Sequence, residues 1–478
     1  MSITVGPVEL ILPTGPGSLT LRLSTTLREA IQSGRLPAGT ALPPSRVLAA
    51  EAGCSRWVVT EAYGQLGAEG YLVATTGSAT RVRAAAPGTA PPPSPQPPPQ
   101  PRPRYDLTPG VPDLAAFPRA RWAEAYRQAV LELPTDLLAG RALVATTAAR
   151  TTLTGFLHRT RQVQEDPTQL SLTTGSAAAI GWLTAVLVRL GHTRVAVEDP
   201  SWPGLRAVAR RGGLEPVPVR VDAHGLVVED LHRLRDVRLV LVTPAHQFPA
   251  GVALSAGRRL ELLEWARSVD GLVIEDDYDA DFRYDGRPVA SLQGMDPDRV
   301  VLLGSLSKAL SPAIEMGWLI MPQPLIMDLL GLDLDRIISP SPLTAEALAV
   351  MIDRGWYERH LRAQRLRYRR RREHLIAALA EHLPQASVSG LAAGLHLPLR
   401  LPDGVDAGAV VRAGARRGLG LVSADRYRMR PAAGPVQTPG PGPGLVLGFG
   451  NLRDRRVGEA AERLAHVVSN LIHSNLGD

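Results

Sequence analysis

The sequence predicts an α/β protein in two parts: a small helix-turn-helix module, then a proline-rich spacer, then a large domain built on a mainly parallel sheet. Three observations predict it. Between Ser176 and Leu303 short apolar strands alternate with helical patterns, as where helices cover parallel strands. Between Ser45 and Glu69 two short helical patterns are separated by Gly53, and a hairpin pattern follows. Between Pro87 and Arg104 the chain is dominated by proline. At 478 residues there is material for two or three domains.

Composition narrows the class. Hydrophobic content of 45% with 21% charged residues supplies an ordinary globular core. A single cysteine, Cys54, excludes an internal disulfide framework and fits a reducing cytoplasm. No apolar run of about 18 residues and no signal-peptide pattern is present, so a cytoplasmic chain without a membrane partner is expected. A net charge of +7 permits nucleic-acid binding without establishing it. The histidines lack metal-ligand spacing, so no metal is expected, and there is no dinucleotide-binding glycine fingerprint.

Residues 1–86 form the first module. Leu19, Leu21, Leu23, Leu27 and Ile31 recur at helical spacing up to Gly34. Ser45 reads as the cap of a short helix, Arg46 to Ala52. Ser55 reads as the cap of a second, with Trp57, Val58, Ala62 and Leu66 on its apolar side. Tyr71 to Arg83 then reads as a hairpin, a wing. Residues 87–104 are a semi-rigid polyproline spacer, able to span roughly 50 Å at about 3.1 Å per residue.

In residues 105–478 the position that stands out is Lys308, in Gly304-Ser305-Leu306-Ser307-Lys308. It is the only lysine of the chain, whose other basic residues are all arginine. A guanidinium stays protonated, whereas a desolvated lysine amine can become neutral and form a Schiff base. It follows an apolar strand, Val300 to Leu303. Three more chemical clusters sit at strand ends, where ligands gather in such sheets. Thr173 to Ala177 opens a helix and offers an anion site. Glu275 to Tyr278 places an acid and a phenol after a strand, and Trp202 follows another. Taken singly, each has a bland reading: an N-cap, a polar loop, a packed aromatic. The arginine-rich run Arg359 to Arg372 reads as a solvated helix face over Leu361, Leu366 and Leu375. The Pro- and Gly-rich stretch 434–444 reads as a flexible insertion.

Two family resemblances carry these residues further. Leu42-Pro43-Pro44-Ser45-Arg46, Cys54-Ser55-Arg56 and Ala62-Tyr63-Gly64-Gln65-Leu66 resemble the GntR type of winged helix-turn-helix. The resemblance implies double-stranded operator DNA as partner, contacted by Ser45, Arg46, Ser55 and Arg56, with Thr80 and Arg81 at the wing. Ala79 departs from the glycine usual at the wing tip. Thr243-Pro244-Ala245-His246-Gln247, Asp276-Asp277-Tyr278-Asp279 and Ser305 to Lys308 resemble the fold type I aminotransferase-like domain of the MocR subfamily. This implies pyridoxal 5'-phosphate as cofactor, carried on Lys308. Asp276 would pair with the pyridine nitrogen, Tyr278 with the ring oxygen, and Trp202 would stack on the ring. Ser176, Ala177 (through its N–H), Ser305 and Ser307 would hold the phosphate.

The departures shape the functional expectation. Glu315 stands seven residues after the lysine, where relatives carry an arginine near the phosphate, and is expected to weaken cofactor binding. Residues 137–150 lack the family's Tyr-Gly-Asp-Pro pattern, and Leu445 to Phe449 lacks an arginine that relatives use for a carboxylate. Arg206, Arg428 and Arg430 are the candidate replacements. The expected protein is a homodimeric DNA-binding regulator sensing an amine, an amino acid or the cofactor itself, without sustained turnover. The alternatives are a working aminotransferase and a regulator whose sensor domain is cofactor-free.

Overall fold

The computed structural model describes residues 2–5, 8–13, 17–74, 79–83, 103–139, 147–164, 166–284, 289–331, 339–429 and 444–475. Two compact units result, Met1–Gln100 and Pro101–Asp478.

The first unit opens with a hairpin that the sequence reading did not anticipate, β1 (Ser2–Val5) against β2 (Val8–Ile11). Ile3, Val5 and Leu10 alternate inward, which is what a half-buried strand pair requires. Three helices follow: α1 (Leu19–Gln32), α2 (Ser45–Glu51) and α3 (Arg56–Ala68). Ser18 caps α1 by accepting from Leu21 N–H at 3.3 Å. Ser45 is not a cap: Pro44 occupies that place and Ser45 is the first helical residue. Ser55 does sit at the cap position of α3, without a side-chain capping bond. Leu23, Leu27, Leu48, Val59, Ala62 and Leu66 form the core that fixes the helices against one another. Tyr63 donates to the Pro43 carbonyl at 2.9 Å and so ties α3 to the start of α2. Strands β3 (Leu72–Val73) and β4 (Arg81–Val82) pair antiparallel as the hairpin predicted, and residues 75–78 at its tip lie outside the described residues. So do residues 84–102, most of the spacer, as well as 140–146 and 430–443, which include nearly all of the 434–444 stretch.

The second unit begins at β5 (Tyr105–Asp106), followed by α4 (Arg119–Glu132) and α5 (Thr147–Arg161). Its large sheet takes in β6 (Leu170–Thr173), β7 (Arg194–Asp199), β8 (Glu215–Asp222), β9 (Gly225–Leu226), β10 (Leu239–Val242), β11 (Leu272–Asp277), β12 (Val300–Ser305) and β13 (Gly317–Ile320). The spatial order is β6-β13-β12-β11-β10-β7-β8-β9. Five neighbours, β12 through β8, run parallel; β13 is antiparallel to both β12 and β6, so β6 points the same way as the five. Both faces are covered, and successive residues serve opposite layers. Leu239 and Leu241 pack to one core with Val195, Val197, Ile274 and Leu303. Val240 and Val242 pack to the other with Ala196 and Val273. Each such buried Val, Leu or Ile side chain contributes about 1.5–3 kcal/mol relative to exposure. A smaller sheet, β14 (Ser387–Val388), β15 (His396–Arg400) and β17 (Gly444–Gly448), packs over the long helix Trp356–His382, and β16 (Leu419–Gly420) pairs with β5.

Two helix faces differ from expectation. Apolar spacing over 258–269 predicts a helix with Leu260, Leu263 and Trp265 inward; in the helix Ala256–Ser268 Leu260 is exposed, and Leu262, Leu263, Trp265 and Ala266 form the buried side. In Trp356–His382, Leu361 and Leu375 are buried but Leu366 is exposed. The arginine run there is not wholly solvated either. Arg371 is buried, with Nη2 on Asp113 Oδ2 at 2.6 Å and Nε on Asp454. A buried guanidinium is tolerated only with such partners.

Candidate functional site

Because the parallel strands share a direction, their C-terminal ends form one edge, and loops leaving that edge converge. From β6 comes α6 (Ser176–Arg189), from β7 Glu198 and Trp202, from β10 Thr243 to Phe248, from β11 Asp276 to Asp279, and from β12 Ser305 to Lys308. Together they enclose a cavity of about 360 Å³. All eight residues assigned by resemblance to the cofactor line it: Ser176, Ala177, Trp202, Asp276, Tyr278, Ser305, Ser307 and Lys308. Arg206 lines it too. Arg428 is not among its lining residues and sits near Asp425, 3.9 Å away; Arg430 lies outside the described residues.

Lys308 donates through Nζ to the Gly110 carbonyl, at the far N-terminal end of this domain. Burial lowers its pKa, opposed by the nearby Asp279 and Asp276. Asp276 is pushed up to about 7 by burial and by Asp277, against the pull of Lys308 and Ser176. Ser176 Oγ donates to Asp276 Oδ1 at 3.4 Å. Behind Asp276, Arg161 neutralises Asp277. Tyr278 donates its phenol proton to the His246 carbonyl at 2.9 Å and lies 3.2 Å from His246 Nδ1, which also meets Asp279 Oδ2 at 2.9 Å. Trp202 stacks beside Tyr427 at 6.0 Å and meets Phe248 edge-on at 5.5 Å. Gly204 is required beneath its indole, since a Cβ there would overlap Nε1.

Sequence reasoning missed several wall residues. Glu198 is wholly buried, accepts from Thr243 N–H and Oγ1 at 3.1 and 2.6 Å, and is pushed up to about 7 by burial. His396, from β15, brings an imidazole whose pKa burial lowers far below the usual value. Glu198 ends a strand, which strand-end reasoning reaches; His396 follows no nearby motif.

Whether pyridoxal phosphate suits this cavity is a question of donors and needs. His396 Nε2 and Asp279 Oδ1 are buried without a protein partner, so the wall itself calls for a polar ligand. An amine, an acid, a phenol, hydroxyls and the N-terminal turn of α6 complete a set that matches its aldehyde, pyridine nitrogen, ring oxygen and phosphate. The residues fit the group. Glu315 does not share the cavity wall: it is exposed at the end of the short helical turn Pro312–Ile314, in left-handed conformation at φ 50°. The expected repulsion between its carboxylate and the phosphate has no such geometry behind it.

In the first unit the residues assigned to DNA lie at the surface of the helix-turn-helix and wing. Arg46, Ser55, Arg56 and Arg81 are exposed, and Ser45 and Thr80 half-buried. Arg56 Nε donates to Ser45 Oγ at 3.2 Å, and Arg81 Nη1 to the Gly39 carbonyl at 2.9 Å. Trp57 does not lie on the apolar side of α3; Val59 takes that place.

Comparison with known proteins agrees with both halves. Residues 19–82 match the family of bacterial regulatory proteins, gntR family, and residues 107–402 match aminotransferase class I and II. The HTH-type pyridoxine biosynthesis transcriptional regulator PdxR of Corynebacterium glutamicum is 34% identical over 450 residues, covering 92% of this chain and 93% of the relative. The probable rhizopine catabolism regulatory protein MocR of Rhizobium meliloti is 30% identical over 469 residues, covering 93% and 92%. Among solved structures, the kynurenine aminotransferase of Pyrococcus horikoshii superposes with a TM-score of 0.68 at 22% identity, covering 77% of this chain and 91% of that one, a likeness of fold. No helix among the described residues is long and apolar enough to cross a membrane. The chain belongs to the MocR-type GntR regulators, DNA-binding transcriptional regulators that join a gntR-family helix-turn-helix to an aminotransferase class I and II domain.

Proposed function

We propose that the second unit binds pyridoxal 5'-phosphate at Lys308 and that the protein, as a homodimer, reads the cofactor itself and alters its hold on operator DNA accordingly. The observation that carries this reading is the state of the cavity's cations. Lys308 and Arg206 are the only ones lining it among the described residues, and Arg206 commits Nη1 to the Tyr427 carbonyl at 2.9 Å and Ser201 Oγ at 3.4 Å, which takes away its end-on Nη1/Nη2 fork. Strand β17 offers no cation: Val446 is buried against Phe248 and Tyr427. A site for an amino-acid effector needs a guanidinium free to form a bidentate pair with the carboxylate. The Corynebacterium relative's name, a regulator of pyridoxine biosynthesis, supports the same reading.

When bound, pyridoxal phosphate supplies an electrophilic aldehyde and an electron-accepting ring. Lys308 reaches it as an amine already eased toward neutrality by burial. Asp276, in a dry setting, would balance the positive charge of the pyridine nitrogen. Ser305, Ser307 and the N-terminal turn of α6 would hold the phosphate, and Trp202 would cover the ring. The helix opened by Ser55 enters a major groove, with Ser45 and Ser55 on phosphates, Arg46 and Arg56 on phosphates or base edges, and Thr80 and Arg81 at the wing contact. An amine or amino acid is the second reading, favoured by the fact that Arg206 does line the cavity. The expected biochemistry is exchange of ligand without sustained turnover.

The test is a pyridoxal phosphate titration of the purified full chain, followed by visible absorbance and by anisotropy of labelled operator. Cofactor alone should shift operator affinity, and Lys308→Arg should remove both the absorbance and the shift. A shift that requires an added amino acid on top of the cofactor would favour the second reading. Absence of any borohydride-trappable adduct at Lys308 would defeat both.

A further inference from the structure

We infer that Trp57 reads a thymine in the operator, through its C5-methyl group in the major groove. The inference rests on DNA binding by the first unit and is independent of what the second unit senses. Trp57 is the second residue of α3 and is 68% exposed, unusual for the largest side chain in a soluble protein. Packing explains why it points out. Val59, Ala62 and Leu66 form the buried stripe of α3, and position 57 lies about 200° from Val59 around the helix.

The outward stripe continues through Glu61 and Gly64, both exposed, and open space surrounds the place where a Gly64 side chain would be. The stripe is tall at the N-terminal turn and bare two turns later. That profile suits a helix entering a groove N-terminus first. The charge at this N-terminal turn suits a polyanion: exposed Arg56 precedes Trp57, its link to Ser45 brings the Arg46 end of α2 alongside, and the stripe's carboxylate, Glu61, lies a turn further on.

Two neighbouring side chains are partly engaged: Thr60 Oγ1 donates to the Arg56 carbonyl at 3.0 Å and Arg56 Nε to Ser45 Oγ at 3.2 Å. The indole adds what the hydroxyls and guanidinium lack: a flat apolar face with one N–H donor. In the major groove only thymine presents an apolar methyl, next to its O4 acceptor.

The experiment uses the full chain and duplexes that it enriches from a randomised pool. Trp57→Ala should bind an enriched duplex about five- to tenfold more weakly, with under twofold change on an unrelated duplex and an unchanged salt slope, because an uncharged contact releases no counterions. Replacing thymines by deoxyuridine one at a time should weaken the wild type about fivefold at one position and leave Trp57→Ala unaffected there. Trp57→Gln should behave like Trp57→Ala and unfold at the wild-type temperature, separating contact from stability. Equal losses on both duplexes, a changed salt slope, or no thymine at which wild type and variant respond differently would overturn the inference. A chain that enriches no sequence would overturn the DNA reading with it.

Discussion

Arg161 and Asp277 form a two-pronged buried ion pair, Nε to Oδ2 and Nη2 to Oδ1, both at 2.6 Å. It lies one residue from the acid assigned to the pyridine nitrogen. Arg161→Leu would leave Asp277 charged, buried and beside Asp276. The expected cost is about 3–5 kcal/mol in denaturant unfolding. Asp277→Asn should cost less, because Glu275 and Asp281 still face the guanidinium.

Gly394 has φ +66°, and a Cβ there would overlap the His246 imidazole and the Asp279 carboxylate. Gly394→Ala should therefore destabilise the fold by about 2 kcal/mol or more and loosen the pair that flanks Tyr278. Calorimetry together with a pyridoxal phosphate titration checks both parts. Wild-type affinity in this variant would show that the pair does not position the phenol.

Stability should fall as pH rises from about 4 to 7. Burial holds Glu198, Glu275 and Asp276 up to about 7 and Asp281 up to about 6 in the folded chain, against ordinary values of 4.5 and 3.8. Within that window the folded state keeps protons that the unfolded chain has released, so each step up in pH favours unfolding. Carboxylates held low by arginines, such as Asp113, act only below it, while His192, His360 and His396, held below 6.5 by burial, oppose the fall within it without matching four carboxylates. The lowered pKa of Lys308 works the other way, in the alkaline range between its folded value and 10.5. The melting temperature of cofactor-free protein should drop by about 5 °C between pH 5 and pH 8, and pyridoxal phosphate should recover part of it.

Glu315 is exposed in a left-handed conformation, where a side chain costs about 1 kcal/mol. Glu315→Gly should raise stability by about that amount and leave pyridoxal phosphate affinity within about twofold. A marked tightening would mean that the carboxylate does reach the phosphate after all.

Much of this was legible in local pattern. A lone lysine after an apolar strand, an acid and a phenol after another, and a glycine-opened helix after a third all carry their meaning within a few residues. Strands that share a direction then deliver those ends to one edge, so placing each element nearly places the site. Burial was less legible where apolar spacing fitted two faces at once. Trp57 and Val59 both suit a helical stripe, as do Leu260 and Leu262, and only what packs opposite selects between them.

From chemistry and order along the chain came the two units, the parallel sheet and the residues able to meet a phosphate, an aldehyde and a pyridine. Tertiary structure decided what those residues touch. Gly110 and Lys308 are 198 positions apart and hydrogen-bonded; His396 enters the wall from a different sheet. Glu315, close to Lys308 in sequence, faces solvent because the turn at Pro312–Ile314 carries it out of the cavity wall. Local preference is set by each residue and its neighbours. The partners of a buried polar group depend on how distant segments pack, and spacing along the chain does not encode that.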